Sequence, residues 1–408
     1  MRVKTTLVAA ALAGITMLLM PGPAAAHVIR VSPGESIQAA INKADEGDTV
    51  KLAPGTYTEN VQIKTEGITL KGAGPDETTI EPPASFAPVD PVCHGEGGPG
   101  APGVCVTEAT DPTAPPTLED VHIKSLKVTG FPISGILFFG TIDQRVNDVL
   151  AEGNQGYGIA AFNTTGGRYW DNVTPHNAEA GIYVGDSPHA NALVTDNISY
   201  GNLGFGVFVR DASHGRVEDN ETFDNCIGIL FLDTPEPTPN SDWVARDNDA
   251  NHNNNACPGG EEGDAVSGLG IVISSAHGIT LVHNTANGNQ PGGPTVGSAG
   301  IAVVSEDGLI ATGNVIKHNS AFGNLPVDIF WDRQGDNTFT GNRCKTSDPD
   351  GLCAKGERGH GRGHHGDDGD DDHGENGHHG HHVDHGNHGH KHGKHKHGKH
   401  HKHKRHRD

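Results

Sequence analysis

The sequence predicts an all-β solenoid of stacked coils, and three observations support that prediction. One phrase, an Asn-rich turn followed by a Gly and a short apolar strand, occurs in eight consecutive stretches, with clear copies starting at Asn177, Asn202, Asn225 and Asn289. The copies recur about every 23 to 36 residues, and their apolar runs have the length of strands without a helical period. The composition, with 58 Gly, 25 Pro and 5% aromatic residues, is typical of many corners joined by short strands.

Pairs of Asn residues separated by five positions form a second regularity. In coils that stack at about 4.8 Å, equivalent Asn amides lie above one another, and each can donate to the carbonyl of the next. Asn also tolerates the left-handed backbone of a sharp corner. We therefore expect buried apolar side chains to hold the coils together and the Asn amides to set their register. The pairs are Asn172/Asn177, Asn197/Asn202, Asn220/Asn225, Asn248/Asn253, Asn284/Asn289 and Asn319/Asn324.

The chain divides into three predicted segments. Residues 1–26 contain Arg2, Lys4, an apolar run and three consecutive Ala residues, which together indicate a secretory signal peptide. No later apolar run is longer, so we expect a secreted protein without a transmembrane segment. Residues 27–356 are predicted to form the solenoid, and residues 357–408, which are almost without apolar side chains, a disordered tail.

The six Cys residues fall in near pairs, Cys93/Cys105, Cys226/Cys257 and Cys344/Cys353. Sequential pairing into three disulfides is the simplest of the fifteen possible connectivities and agrees with secretion. A zinc site is the alternative, although the spacings contain no repeated Cys-x-x-Cys.

The stretch 36–44, SIQAAINKA, is predicted to form an amphipathic helix that covers the first coil. A solenoid needs such a cover, because an open end exposes both core and strand edges. Residues 82–116, rich in Pro and Gly, are predicted to form a long loop between early coils.

Two stretches near the beginning resemble a known family. Residues 36–59, SIQAAINKADEGDTVKLAPGTYTE, and residues 67–74, GITLKGAG, resemble the opening of right-handed parallel β-helix proteins of the pectin-lyase-like superfamily. The resemblance covers roughly residues 30–355 and implies a right-handed parallel β-helix. The superfamily includes pectate lyases, pectin esterases, polygalacturonases, uronan epimerases, surface adhesins and a periplasmic protein of nitrous oxide reductase maturation. Such a fold does not by itself choose an activity.

None of the catalytic signatures of these enzymes is intact in the sequence. The nearest match to the epimerase phrase Asp-Pro-His-Asp is Asp186-Ser187-Pro188-His189, which has an inserted Ser and lacks the final Asp. The pectin esterase phrase Asp-Phe-Ile-Phe-Gly has only a distant counterpart at Asp328.

A candidate site follows from the repeat itself. Asp186 and Asp211 lie at the same offset from Asn177 and Asn202, and we expect the stack to align acids and imidazoles beside one another. Because neighbouring carboxylates repel, either Ca²⁺ or a shared proton would relieve the arrangement. The alternative is that Asp residues simply occupy solvated turns. The predicted catalytic residues are Asp186, Asp211, Asp233, His189, His214 and Arg210.

The tail is the second candidate site, because 18 of the 28 His residues lie between His360 and His406. Imidazole is the usual ligand of Zn²⁺, Ni²⁺ and Cu²⁺, so we expect the tail to bind such metals; the alternative is a solubilising extension. The signal peptide contributes +2 and the tail +1 to the net charge of −22, which leaves −25 on residues 27–356. The predicted metal ligands are His378, His379, His381, His382, His385, His388, His390 and His392.

The residues favour a monomeric secreted protein that binds extracellular or cell-wall polysaccharide along the side of the solenoid. Two interpretations fit them: a lyase, hydrolase or epimerase acting on uronans, and a non-catalytic surface, adhesion or metal-handling protein. The strongly acidic balance argues against a nucleic-acid partner.

Overall fold

Three parallel β-sheets surround a common core in the computed structural model, which describes residues 26–94, 100–259 and 264–354. These residues belong to one structural unit. Successive coils add strands to the three sheets in turn, and the strand pairings within the sheets are parallel. The chain is therefore a parallel β-helix, as the repeat predicts.

Sheet 1 contains the first strand of the described chain. Its strands are Val28–Val31, Thr49–Leu52, Thr69–Lys71, His122–Thr129, Arg145–Glu152, Arg168–Trp170, Ala192–Thr195, Phe205–Glu218, Ser241–Arg246, Thr280–Val282, Val315–Lys317 and Thr338–Thr340.

Sheet 2 follows sheet 1 along each coil, and His122–Thr129 and Arg145–Glu152 bend from sheet 1 into it. Its other strands are Gly55–Thr58, Thr78–Glu81, Ile198–Tyr200, Glu221–Phe223, Asp249–Ala250, Ser320–Ala321 and Arg343–Cys344.

Sheet 3 completes each coil, and Phe205–Glu218 bends from sheet 3 into sheet 1. Its other strands are Val61–Ile63, Val104–Val106, Ile136–Phe139, Ile159–Phe162, Ala180–Ser187, Ile227–Leu232, Leu269–Ser274, Ala299–Val304, Val327–Trp331 and Ser347–Asp348. Leu118–Glu119 and Thr141–Ile142 pair at the corner between sheets 3 and 1.

The core lies inside the coils and consists of one inward file of apolar side chains after another. Val184, Val209 and Phe231, for example, occupy equivalent positions in three coils and are fully buried. Burial of each such side chain contributes about 1.5 to 3 kcal/mol. Along each strand, the residues that alternate with these inward side chains point outward, so each sheet has an outer face.

The Gly of each repeat allows adjacent coils to approach closely. Gly206, Gly228 and Gly270 occupy one file, and a Cβ on Gly228 would lie 2.6 Å from the carbonyl oxygen of Gly270 and 2.6 Å from Nδ2 of Asn253. Only Gly fits at this position without moving the next coil.

The paired Asn residues form two continuous ladders inside the coils, as predicted. In the first ladder, Nδ2 of Asn197 donates to Oδ1 of Asn220 (2.9 Å), and Nδ2 of Asn220 donates to Oδ1 of Asn248 (3.0 Å). Oδ1 of Asn220 also accepts the backbone N–H of Asn197 (3.1 Å). In the second ladder, Asn177, Asn202 and Asn225 are linked in the same way.

The predicted reason for Asn at the corners is wrong in one respect. The left-handed residue is the one that precedes the ladder Asn: Asp196 before Asn197 has φ 56°, and Asp219 before Asn220 has φ 55°. The ladder Asn itself must place both its backbone N–H and its amide on the next coil, and the preceding residue makes the turn. Asp, like Asn, is among the residues that tolerate this conformation.

A carboxylate ends the second ladder. The backbone N–H and Nδ2 of Asn324 both donate to Oδ1 of Asp328 at 3.1 Å. Oδ2 of Asp328 accepts the backbone N–H groups of Lys345 (2.9 Å) and Thr346 (3.1 Å). Asp328 is 2% exposed, so these four bonds satisfy a buried charge.

The helix that covers the first coil is present but shorter than predicted, since it spans Ile37–Ile41. Ser36 caps it by accepting the N–H of Ala39 (3.1 Å), and Ile37 and Ile41 are buried against the core. Tighter turns follow, because the N–H groups of residues 43 and 44 bond three residues back. No helix among the described residues has the length and apolarity of a membrane span.

The three disulfides join Cys93 to Cys105, Cys226 to Cys257 and Cys344 to Cys353, which confirms the sequential pairing. Three disulfides are typical of exported proteins. The predicted loop 82–116 is interrupted by the strand Val104–Val106, which pairs with Val61–Ile63 and Ile136–Phe139. The predicted signal peptide, except for its last residue, and the predicted tail lie outside the described residues.

Candidate functional site

The three predicted acids lie in successive coils at the corner where sheet 3 ends. Gly185 pairs with Arg210 and Ser187 with Ala212, so Asp186 lies opposite Asp211. The pairing of Arg210 with Leu232 places Asp233 in the next coil. Asp186 and Asp211 both have left-handed backbones, with φ 50° and 48°.

Asp211 serves mainly to hold a loop. It is fully buried, and its carboxylate accepts the backbone N–H and the Oγ1–H of Thr234, both at 2.8 Å. Nε of Arg210 donates to it at 3.1 Å. The carboxylate is therefore occupied by protein donors.

Asp233 closes the same loop from its other end. Its Oδ1 accepts the backbone N–H of Asn240 at 2.8 Å. Desolvation raises the pKa of Asp233 above its ordinary value, and this hydrogen bond opposes the rise. Asp211 and Asp233 thus both fix residues 233–240, which lie beside sheet 3.

Asp186 is the acid of the three that remains exposed to solvent. Desolvation by the surrounding protein nevertheless raises its pKa, and the charges of Asp211 and Glu236 raise it further, while Arg210 opposes them. A carboxyl group with a raised pKa suits acid–base chemistry.

Arg210 is the cation at the centre of this corner, and its side chain is 40% exposed. Partial burial would lower its pKa, but Tyr183, Asp211 and Asp186 together raise it. Its guanidinium is held by Asp211 through Nε and is open to solvent on another side. A planar guanidinium matches the two oxygens of a carboxylate.

The two predicted histidines do not align, which corrects the expectation of paired imidazoles. Between Ser187 and Ala192 one coil has four residues, whereas the next coil has only two between Ala212 and Gly215. His189 therefore lies in a longer turn, and it is exposed. His214 lies beside Asp242, with its Nδ1 3.8 Å from Oδ2 of that residue.

An aromatic cluster covers the outer face of sheet 3 beside Arg210. The ring of Tyr183 lies 4.7 Å from Tyr157, 4.7 Å from Phe162 and 5.3 Å from Phe208, between centroids. Burial raises the pKa of Tyr183 well above its ordinary value, and Asp186 adds to the rise. Two sequence signals accompany the cluster. Tyr183 and Phe208 occupy the same position of the repeat, and at Gly185 a Cβ would lie 2.0 Å from Oη of Tyr183, so the absence of a side chain makes room for the phenol.

Within the described ranges, no group of three or more His, Cys, Asp or Glu side chains is arranged to hold a metal ion. The eight predicted metal ligands, His378 to His392, lie outside those ranges. The corner thus brings together one exposed acid, one cation and a buried phenol.

Comparison with known proteins shows which folds this chain resembles. Residues 134–316 match the family model described as right handed beta helix region. No curated protein matches the sequence. The A-module of mannuronan C-5 epimerase AlgE4 from Azotobacter vinelandii is similar, with a TM-score of 0.50 and 18% identity over 76% of this chain and 94% of that one.

Two further solved structures are similar at comparable levels. The Dettilon tailspike protein (gp208) gives a TM-score of 0.51 and 14% identity over 78% of this chain and 68% of that one. An alginate lyase from Paenibacillus sp. str. FPU-7 gives a TM-score of 0.50 and 15% identity over 76% and 99%. What these structures share with this chain is the right-handed β-helix.

Proposed function

We propose that this right-handed parallel β-helix binds an exported or cell-wall polysaccharide on the outer face of sheet 3 and acts on acidic sugar units there. The observation that carries this proposal is the half-exposed Arg210, which is fixed by the buried Asp211 beside the exposed Asp186. The similar structures include two proteins named for alginate or mannuronan chemistry, which favours the same class of ligand.

The groups at the corner fit proton transfer next to a sugar carboxylate. The guanidinium of Arg210 would pair with that carboxylate and withdraw charge from it. Asp186, with its raised pKa, would exchange a proton with the adjacent carbon or with the glycosidic oxygen. His189, in the exposed turn that follows, would supply the second proton-transfer group.

A calcium ion at this corner would need ligands from the sugar. Both oxygens of Asp211 accept hydrogen bonds from Thr234, and Oδ1 of Asp233 accepts one from Asn240. Asp186 is the exposed acid of the three, so it is the one that a calcium ion would reach first. Ca²⁺ takes six to eight oxygens, and uronate carboxylates would provide most of them. Binding of a uronan should then weaken when the ion is removed with a chelator.

The test is incubation of the full chain with a panel of uronans and neutral polysaccharides, with and without Ca²⁺. Unsaturated products, new reducing ends and inverted sugar configuration are measured separately. Arg210→Gln and Asp186→Asn should each reduce product formation at least about tenfold, while Arg343→Gln and Asp196→Asn serve as controls of equal charge change. The absence of both binding and product across the whole panel would reject the proposal.

The tail supports a second function, metal uptake, because 18 His residues lie between His360 and His406. At neutral pH these imidazoles are largely uncharged and can bind Zn²⁺, Ni²⁺ or Cu²⁺. Calorimetric titration of Zn²⁺ into the full chain and into a chain ending at Lys355 separates the tail from the rest. Equal uptake by both chains would remove the tail from metal handling.

A further inference from the structure

The outer face of sheet 1 carries a file of cations that the stack brings together. Arg30 pairs with Lys51, Lys51 with Lys71, and Lys71 with Lys124, so four positive side chains lie on four neighbouring strands at about 4.8 Å intervals. Residues on either side of Lys51, Val50 and Leu52, are fully buried, which places the Lys side chains on the outer face.

A second file on the same face continues the positive charge. His122 pairs with Arg145, and Arg145 with Arg168. From Val28–Val31 to Arg168–Trp170, the outward positions of sheet 1 contain six cations and no carboxylate. Nine of the 17 Lys and Arg residues of 27–356 occupy outward positions of this sheet, although residues 27–356 carry a net charge of −25.

This accumulation does not stabilise the fold. Like charges directly opposite on neighbouring strands are destabilising. Among the described residues, Arg145 is the one cation of the six with a carboxylate within 4 Å, at 2.7 Å from Asp120. The other five therefore retain charge that a ligand can neutralise.

The remaining side chains of the face suit a sugar. The ring of Trp170, which is half-buried, lies 5.8 Å from that of His122. The pKa of His122 is lowered to about 4, mainly by desolvation and further by the charges of Lys124 and Arg145. The hydrogen bond between its Nε2 and Oδ1 of Asn147 opposes this shift. A neutral imidazole, an amide and an indole can bind hydroxyl groups and the flat face of a sugar ring.

The borders of the face restrict the shape of the ligand. Exposed acids line the corner before the sheet, at Asp120 and Asp143, and the corner after it, at Asp148 and Asp171. A polyanion is thereby confined to a line along the stack, which a single charged chain fits and a duplex with two rows of phosphates does not. Beyond Arg168 the line continues into a cavity of about 360 Å³, which Arg168, Leu193 and Arg216 line together with Asp143.

We propose that this face of sheet 1, from Arg30 to Arg168, is a binding surface for a linear acidic polysaccharide that lies across successive coils. It is separate from the corner at Arg210 and does not depend on any catalysis there. The surface would hold the polymer through the repeated carboxylates of the polymer, with one cation on each coil.

The experiment measures binding of polygalacturonate and alginate to the full chain by calorimetry, as a function of salt. Removal of three charges in Lys51→Gln, Lys71→Gln and Lys124→Gln together should weaken binding roughly tenfold or more and flatten the salt dependence, because fewer counterions are released. A control triple with the same charge change, Lys43→Gln, Arg343→Gln and Lys345→Gln, should bind like the wild type. A Lys→Arg triple at positions 51, 71 and 124 should retain the affinity.

Three results would overturn the proposal. One is an unchanged affinity in the Gln triple, and another is wild-type binding that does not weaken as salt increases, a measurement that needs no variant to fold. The third is tighter binding of duplex DNA than of either uronan, lost in the same triple. Failure of the Arg210 site is distinguishable, since a lack of product from every uronan would reject that site, whereas the surface on sheet 1 is judged by the salt-dependent binding of the Gln triple against its control triple.

Discussion

The carboxylate of Asp211 accepts both the backbone N–H and the hydroxyl of Thr234, which lies in the next coil. Asp211 is fully buried, so the bond pair attaches the loop 233–240 to the coil beneath it.

Asp211→Ala should therefore lower the free energy of unfolding by about 2 to 4 kcal/mol, because it leaves the partly buried N–H of Thr234 without its acceptor and removes the carboxylate that pairs with Arg210. Asp186→Asn, at the equivalent exposed position, should change it by less than about 0.5 kcal/mol. Urea unfolding of both variants makes the comparison. Equal midpoints for Asp211→Ala and the wild type would show that the loop is held by other contacts.

Asn220 links three coils through its buried amide. Asn220→Ala should destabilise the protein by about 2 to 4 kcal/mol, since Nδ2 and the backbone N–H of Asn197 both lose their acceptor. Asn42→Ala, at the exposed end of the helix, is the control and should stay within about 0.5 kcal/mol of the wild type. The prediction fails if thermal unfolding does not distinguish the two variants.

Gly228→Ala should destabilise by about 2 kcal/mol or more, because the added methyl group would lie 2.6 Å from the backbone of the next coil. Gly297→Ala is a matched control, since no atom lies within 4 Å of the corresponding position there. Denaturant unfolding of the pair provides the measurement, and comparable losses in both variants would contradict the close approach of the coils.

Asp219 lies between Asp196 and Asp247 in the corner row that follows sheet 1. Desolvation raises its pKa, Asp196 and Asp247 raise it further, Arg246 opposes them and Glu218 adds a small rise. Because the folded-state pKa is above the unfolded one, the folded state binds this proton more tightly, and stability is lost as pH rises through the range in which Asp219 ionises.

Asp219→Asn should consequently stabilise the protein at pH 7 by about 0.5 kcal/mol, with the left-handed backbone retained. The gain should shrink as pH falls below the range in which aspartate ionises, and also as salt screens the row. Unfolding curves at several pH values test this, and a gain that stays constant from neutral to acidic pH would contradict it.

The periodicity predicted the ladders because a repeated Asn at fixed spacing translates directly into vertical neighbours, as Asn177, Asn202 and Asn225 demonstrate. The left-handed corner residue was assigned one position too late, because Asn and Asp share the same backbone preference and the sequence does not say which of them turns.

The site was predicted less completely than the fold. The offset from the ladder placed Asp186 above Asp211, but the offset of His189 failed because two additional residues lengthen the turn after Ser187. The anchoring role of Asp211 depends on Thr234 returning to it from an insertion, a contact that no repeat encodes. The aromatic cluster around Tyr183 follows the repeat only in part, because Phe208 is the register partner of Tyr183, whereas Phe162 pairs with Gly185 and Tyr157 precedes its strand.

Asp328, at the end of the second ladder, has a consequence for assembly. A side-chain amide both donates and accepts hydrogen bonds, so a ladder of amides that ended in Asn would leave an N–H donor without an acceptor at its last coil. A carboxylate only receives, and here it receives four bonds. The Asp328 side chain has no donor that needs an acceptor on a further coil. The ladder therefore ends at a residue that does not favour stacking of another molecule onto it.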